Sequence, residues 1–391
     1  MKKYISILML FVAMGVFTVS CEQESDSNAM PVVKYVRPTD ANAADSLLTR
    51  AAMGSTIALI GDGLGGVCEI WFNDQKAKLN PVYVTATSII VNVPGTMPGK
   101  ITNTITLKTS KGKQAIYDFA VIIPSPRVIS IENEWALNNM TTIIRGDYFF
   151  ADAEGKLVQV LFPGNVKAEV IEFDDHNIKI IVPLGALPGT VTVESIYGKG
   201  RSQFTFRDKE GLFIDAEEPT NVWNTWNRGS FDMNDGTSGQ YIKLSGNTGN
   251  WAWPGELMQL VYINPTQTPL ISEGLPADYA LKFEYNSLNW SGAHIYFWFS
   301  PKSDVNTDDP NVAQYLWQPF LINGAYVNHV TNGWVTCTIP LSEFTHNKAG
   351  TSNIKLGKDD MINFHAFPFG EAEGVAPFEI WLDNFRIVKI K

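Results

Sequence analysis

Trp251 and Trp253 stand two positions apart in the stretch NWAWPG, framed by Asn250, Pro254 and Gly255. Turn-forming residues put such a stretch at the surface. There two indoles forgo most of the roughly 2–3 kcal/mol that burying each would contribute. A ligand that covers the rings would recover it. The grouping recurs in NVWNTWNRG, where Trp223 and Trp226 lie among Asn221, Asn224 and Asn227, and in NSLNWSG, where Trp290 follows Asn286 and Asn289. All three stretches read as loops, with core packing the alternative for each ring. Indoles interleaved with amides suit a sugar: the C–H-rich face of a pyranose stacks on the ring, and its hydroxyls pair with planar amides. Two residues apart in extended chain, Trp251 and Trp253 would point the same way about 6.5–7 Å apart, close to the advance of one sugar along a β-linked chain.

Strands must position these rings. KFEYNSL, HIYFWFS, QYLWQPFLI, GWVTCTIPL and FEIWLDNFRIVKI are rich in aromatic and β-branched residues, and no apolar run of helical period separates them. The strand period of two puts Ile295, Phe297 and Phe299 on one face, read as core, and His294, Tyr296 and Trp298 on the other, read as a wet outer face. Tyr296 and Trp298 therefore join Trp223, Trp226, Trp251, Trp253 and Trp290 as candidate glycan-binding residues. Tyr315 and Trp317 share a face opposite Leu316, and Trp334 and Trp381, each inside an apolar strand, read as core. Residues 209–391 are expected to form a jelly-roll β-sandwich. Their WLDNFRI ending and the GWVTCTIPLSEF stretch resemble the closing and the "G-W…I-P-L" strands of carbohydrate-binding jelly rolls.

Composition narrows the partners. The 391 residues are 45% hydrophobic and 18% charged, with a net charge of −10, which describes a folded, strand-rich chain and argues against nucleic acid. From Lys209 onward there are 20 acidic and 11 basic residues. A module so acidic should repel polyanions such as heparin or pectin, leaving a neutral β-glucan or hemicellulose. Cys68 and Cys337 read as small apolar strand residues, and the five histidines show no metal-ligand spacing. No metal site and no cofactor are assigned.

Ahead of this module the chain repeats itself over about 90 residues: GSTIALIGDGL is echoed by TTIIRGDYFF, CEIWFNDQKAKLN by VQVLFPGNVKAEVI, and TSIIVNVPGTMPGKITNTITL by HNIKIIVPLGALPGTVTVESI. Gly54 to Gly61 and Thr141 to Gly146 carry a "G-T-x-I-x-I-x-G" strand, and Ile89 to Pro94 and Ile178 to Pro183 an "I-x-V-x-V-P" strand. These stretches resemble the IPT/TIG immunoglobulin-like family. The resemblance implies two tandem immunoglobulin-like sandwiches, 31–124 and 125–208, joined at Pro124-Ser125-Pro126. Neither holds an aromatic cluster, Trp71 and Trp135 being single packing residues, so both read as spacers.

The N-terminal stretch MKKYISILMLFVAMGVFTVSC has a basic start, an apolar run short of a membrane span, and Ser20 before Cys21. It resembles a bacterial lipoprotein signal, 1–21, with Cys21 lipidated. The acidic, serine-containing tether 22–30 resembles the surface-export signal of Bacteroidetes lipoproteins and reads as flexible. Lipoprotein leader, immunoglobulin-like spacers and aromatic-rich terminal jelly roll together resemble the Bacteroidetes surface glycan-binding proteins of B type, whose terminal domain binds xyloglucan. The resemblance implies a non-catalytic protein anchored in the outer membrane and facing outward, capturing a neutral polysaccharide for uptake, with a TonB-dependent transporter and its glycan-binding lid as partners. By position, Trp223 or Trp226 with Trp251 and Trp253 match the family's aromatic platform. The alternatives are a protein-binding adhesin and a glycoside hydrolase or its accessory, which would draw on Asp215, Glu217, Glu218, Glu256, Glu284 or Asp383. Carbohydrate-binding jelly rolls often carry a structural calcium, for which Asp215 or Asp383 could supply oxygen.

Overall fold

A computed structural model describes residues 29–43, 45–151, 158–217, 221–223, 228–232, 238–248, 260–303, 309–370 and 376–391. The architecture is all-β, with strands and short 3-10 turns. The chain divides into two compact units between Pro124 and Ser125. In the first, Val32–Pro38, Thr56–Asp62 and Ser88–Asn92 form one sheet, and Gln75–Lys76, Val67–Phe72, Thr104–Thr109 and Gln114–Asp118 a second. Between them Leu59, Ile70, Ile89, Ile105 and Leu107 are fully buried.

The second unit opens with the echo of this sandwich. Arg127–Ile131, Thr141–Asp147, Asn177–Ile181 and Glu169–Phe173 oppose Val166–Lys167, Gln159–Phe162, Gly189–Ser195 and Gly198–Phe206 around a core of their own. The repeated glycine of the "G-T-x-I-x-I-x-G" strand has a steric cause. A Cβ on Gly61 would lie 1.8 Å from the Val32 carbonyl oxygen, and one on Gly146 would lie 2.0 Å from that of Arg127. In both sandwiches the first strand crosses this glycine next to a register shift, at Val33/Tyr35 and Val128/Ser130, and only a residue without a side chain admits so close a crossing.

The C-terminal module is a two-sheet jelly-roll sandwich. One sheet runs Arg228–Asp232, Ser238–Thr248, Ala376–Lys389, Tyr279–Trp290, Val335–Pro340, with Leu212–Ile214 also paired to Ala376–Lys389. The other runs Val222–Trp223, Leu260–Tyr262, Asn363–Gly370, Ala293–Ser300, Gln314–Trp317. Ile242, Leu244, Leu281, Phe283, Ile380 and Leu382 from the first meet Leu260, Ile295, Phe297, Phe299, Phe364 and Ala366 from the second, each 0–1% exposed. Alternation leaves each sheet a second, outward face.

The outward face of the six-stranded sheet carries charge, and the preceding sandwich docks there. Thr336 N donates to the Glu132 carbonyl oxygen (2.8 Å) and Glu134 N to Thr336 Oγ1 (2.8 Å). Glu134 itself reaches Lys282 at 2.6 Å and Arg386 at 2.8 Å, while Arg386 also grips Glu284 through two bonds of 2.8 and 3.0 Å. All four side chains are buried. The docked sandwich covers the part of this face around Lys282, Glu284 and Arg386, and the five-stranded sheet presents the other outward face of the module.

Candidate functional site

Along Ala293–Ser300 the residues alternate as the strand period predicts: Ile295, Phe297 and Phe299 face the core, and His294, Tyr296 and Trp298 the other side. The neighbouring strand Asn363–Gly370 adds His365, Phe367 and Phe369 to that outer side, each opposite a residue of the first: Trp298 with His365, Tyr296 with Phe367, His294 with Phe369. Leu316 extends the Tyr296–Phe367 row on the third strand. Tyr296, Phe367 and Phe369 are partly exposed and Leu316 is exposed. The rings brace one another. Phe367 and Phe369 lie 6.4 Å apart and nearly parallel, His294 meets Tyr296 edge-on at 4.7 Å, and Lys348 places its ammonium 5.4 Å from the Phe369 ring centre. Neighbouring strands lie about 4.8 Å apart and alternate residues along a strand about 6.7 Å apart, so these rings tile a surface on the scale of two sugar units. Beside them opens a hollow of about 550 Å³, to which Tyr296, Gln314, Leu316, Glu343, His346 and Lys348 contribute.

Trp298 lies on this outer face but is not available for stacking. It is 2% exposed and lies flat against His365, ring centres 4.7 Å apart and planes within 5°. The expectation that Trp298 contacts glycan is therefore corrected: it is a foundation beneath the exposed rings. Burial also pushes the His365 imidazole down to about 4, so at neutral pH Trp298 stacks on an uncharged ring.

Trp290 is corrected more fully. NSLNW is the end of the long strand Tyr279–Trp290 and not a loop, and Trp290 is 0% exposed. Its Nε1 donates to the Ala293 carbonyl, and its ring packs edge-on to Trp317 at 4.6 Å and Phe378 at 5.7 Å. The cause is a register shift between Ser287 and Asn289. Leu281, Phe283 and Tyr285 point inward, so simple alternation would turn residue 290 outward; one bulge turns it in.

Trp334 and Trp381, read as core, are instead half-buried on the outward face of the six-stranded sheet, where Tyr241 stacks on Trp381 at 4.3 Å and meets Trp334 at 5.8 Å. Trp223 occupies an edge strand of the five-stranded sheet. Its backbone pairs with Val261, which pairs with His365, itself opposite Trp298, so the register sets it in the same cross-sheet row. Cys21, Trp226, Trp251 and Trp253 lie outside the described residues. Phe367 and Phe369 were missed in sequence because NFHAFPFG carries Pro368 and a mixed pattern; the signal was the alternation of His365, Phe367 and Phe369 themselves.

Asp383 is no cation ligand here. Its carboxylate accepts from Ala216 N (3.1 Å), Asn384 N (2.8 Å) and Asn384 Nδ2 (3.1 Å), and its burial raises its pKa well above the usual carboxylate range. Among the described residues no three His, Cys, Asp or Glu side chains gather as a metal site would require.

Residues 206–389 match the sequence profile described as the surface glycan-binding protein B xyloglucan binding domain. The match spans nearly the whole of the C-terminal module, which is similar to that domain. A curated IPT/TIG domain-containing protein of Bacteroides ovatus is 32% identical to this chain over 162 residues, 39% of this chain and 33% of that protein; the chain thus spans about a third of that relative's length. The crystal structure of a surface glycan-binding protein of Prevotella bryantii superposes with a TM-score of 0.76 at 24% identity, over 93% of this chain and 99% of that one. The likeness of fold therefore extends over the immunoglobulin-like sandwiches as well as the C-terminal module. A B-type protein from a complex xyloglucan utilization locus in Bacteroides uniformis aligns over 93% of this chain and 100% of its own, at 16% identity and a TM-score of 0.46.

Proposed function

We propose that this chain is a non-catalytic glycan-capture protein whose B-type module holds a neutral β-glucan or hemicellulose, xyloglucan among them, on the outward face of the five-stranded sheet. One observation carries the reading: Tyr296, Phe367 and Phe369 form a braced aromatic surface on the solvent side of a sheet whose other side is a complete apolar core. The family profile matched by residues 206–389 supports it. Two carboxyls that a hydrolase would need are otherwise engaged, Glu284 by Arg386 and Asp383 by N–H donors. Trp223, Trp226, Trp251 and Trp253 extend the platform in this reading. The two immunoglobulin-like sandwiches act as spacers, and lipidated Cys21 anchors the protein to the outer membrane, where a transporter takes up what it captures.

Affinity electrophoresis tests the sheet face. The chain should be retarded by xyloglucan or mixed-linkage β-glucan and not by pectin. Each ring is worth about 1 kcal/mol beyond area burial, so Tyr296→Ala with Phe369→Ala should weaken binding roughly tenfold or more without moving the melting temperature. Undiminished retardation places the site elsewhere, and the same assay on Trp251→Ala with Trp253→Ala then decides for the NWAWPG stretch. Cys21→Ala should release the protein from the membrane fraction; continued membrane association would rule out the lipid anchor.

A further inference from the structure

The docked sandwich and the six-stranded sheet do not close completely. Beside their ion cluster lies a crevice of about 470 Å³ lined from both sides: Asn133 and Trp135 come from the sandwich, and Trp334, Asp383, Asn384 and Glu217 from the B-type module. That volume is in the range of small-ligand pockets, roughly 300–1,000 Å³. Trp135 and Trp334 are both half-buried, so each keeps some ring surface open. Neither is a loose side chain. Trp334 is backed by Tyr241, which is stacked on Trp381. Trp135 N donates to Asn133 Oδ1 at 2.8 Å, and the residue between them, Glu134, is clamped by Lys282 and Arg386. The Nε1 of Trp135 is buried without a hydrogen-bond partner, so packing at the seam, and no bond of its own indole, holds the ring.

Two preset indoles with the Asn133 amide and the Glu217 carboxyl beside them repeat the chemistry of a sugar site: ring faces for C–H surfaces, amide and carboxyl oxygens for hydroxyls. Asp215 and Glu217 outnumber Lys209 on the crevice wall, which disfavours an anionic sugar. We propose that this seam is a second glycan site, taking a short neutral oligosaccharide or a chain end where the sheet face takes the polymer. The proposal rests on the glycan-binding reading of the module and adds a site on its opposite side, assembled only when the sandwich is docked. The sandwich then contributes a ligand contact, Trp135, beyond its role as spacer.

Cellotetraose titrated calorimetrically into the full chain separates the two sites. With the sheet face removed by Tyr296→Ala and Phe369→Ala, residual binding of one cellotetraose should remain. Adding Trp135→Ala should weaken that residue about tenfold or more, while Trp135→Phe, which keeps a ring, should hold it within about threefold. If Trp135→Ala lowers the melting temperature, Trp334→Ala, on the other wall, must give the same loss. No residual binding in the sheet-face variant, or residual binding indifferent to both tryptophans, overturns the seam site and leaves the sheet face standing. Full binding by the sheet-face variant together with loss on Trp135→Ala does the reverse.

Discussion

At the scale of the residue, two aromatic side chains six positions apart have opposite uses. Trp290 is sealed in the core, and Tyr296 lies partly open on the outward face. Trp290→Ala should therefore cost about 3–5 kcal/mol of stability, seen as a large fall in melting temperature. Tyr296→Ala should leave that temperature within a degree or two and show only in glycan affinity; a reversed pattern would mean the faces are misassigned. His365 gives a pH test of the same face. Its folded pKa of about 4 lies below the ordinary 6.5, so the folded state resists the proton that the unfolded chain accepts. Its contribution to stability is complete above pH 6.5 and is lost as pH falls from there toward 4. His365→Gln should flatten the melting-temperature profile in that window while leaving the profile above pH 7 parallel to that of the unaltered chain. An unchanged acid slope would show that the imidazole is not held neutral by burial.

At the scale of the element, period and punctuation told most of the story. The alternation in HIYFWFS assigned its two faces correctly because both neighbours of that strand run in regular register over it. The internal repeat was legible because each sandwich needs a glycine where its first strand crosses, and Gly61 and Gly146 mark the spot. What sequence could not reveal was the bulge between Ser287 and Asn289, since a one-residue shift leaves no mark in residue type, yet it carried Trp290 from loop candidate to core. Nor did composition show that Trp298 would lie beneath its neighbours: an alternating pattern names a face, and cover on that face comes from other strands and loops. The crossing glycine can be tested directly. Gly146→Ala puts a methyl within 2.0 Å of the Arg127 carbonyl oxygen, and relieving such overlap costs about 1–3 kcal/mol. Gly95→Ala is the control: like Gly146 it lies outside the left-handed region, but its Cβ meets nothing within 4 Å, so a cost of losing glycine that is independent of the crossing should appear there too, and Gly95→Ala should otherwise be near neutral. If both variants fall alike, the crossing is not what selects the glycine.

At the scale of the whole molecule, the second sandwich is tied to the C-terminal module by charge as well as by shape. Glu134 and Glu284 offset Lys282 and Arg386 in a buried cluster, with three of the residues from the module and one from the sandwich. Burial holds the Glu284 carboxyl above its ordinary range even though the Arg386 guanidinium pulls against it. Such a cluster contributes little net stability over an apolar contact, but removing one member leaves an uncompensated charge and costs about 3–5 kcal/mol. Glu134→Ala takes away the side chain that the sandwich contributes to the cluster. Lys282 then loses its carboxylate partner, and Arg386 keeps Glu284 alone. The cost should fall on docking more than on either core, because each has its own complete set of inward residues. Calorimetry of the unaltered chain should show the sandwich and the module unfolding together. In Glu134→Ala the module should separate as an earlier transition, while Glu132→Ala, which breaks a half-exposed pair with Arg145 at 3.2 Å, should change the trace by less than about 1 kcal/mol. A single unshifted transition in Glu134→Ala would mean that surface shape, not the ion cluster, couples the two, and the crevice lined by Trp135 would then persist without Glu134.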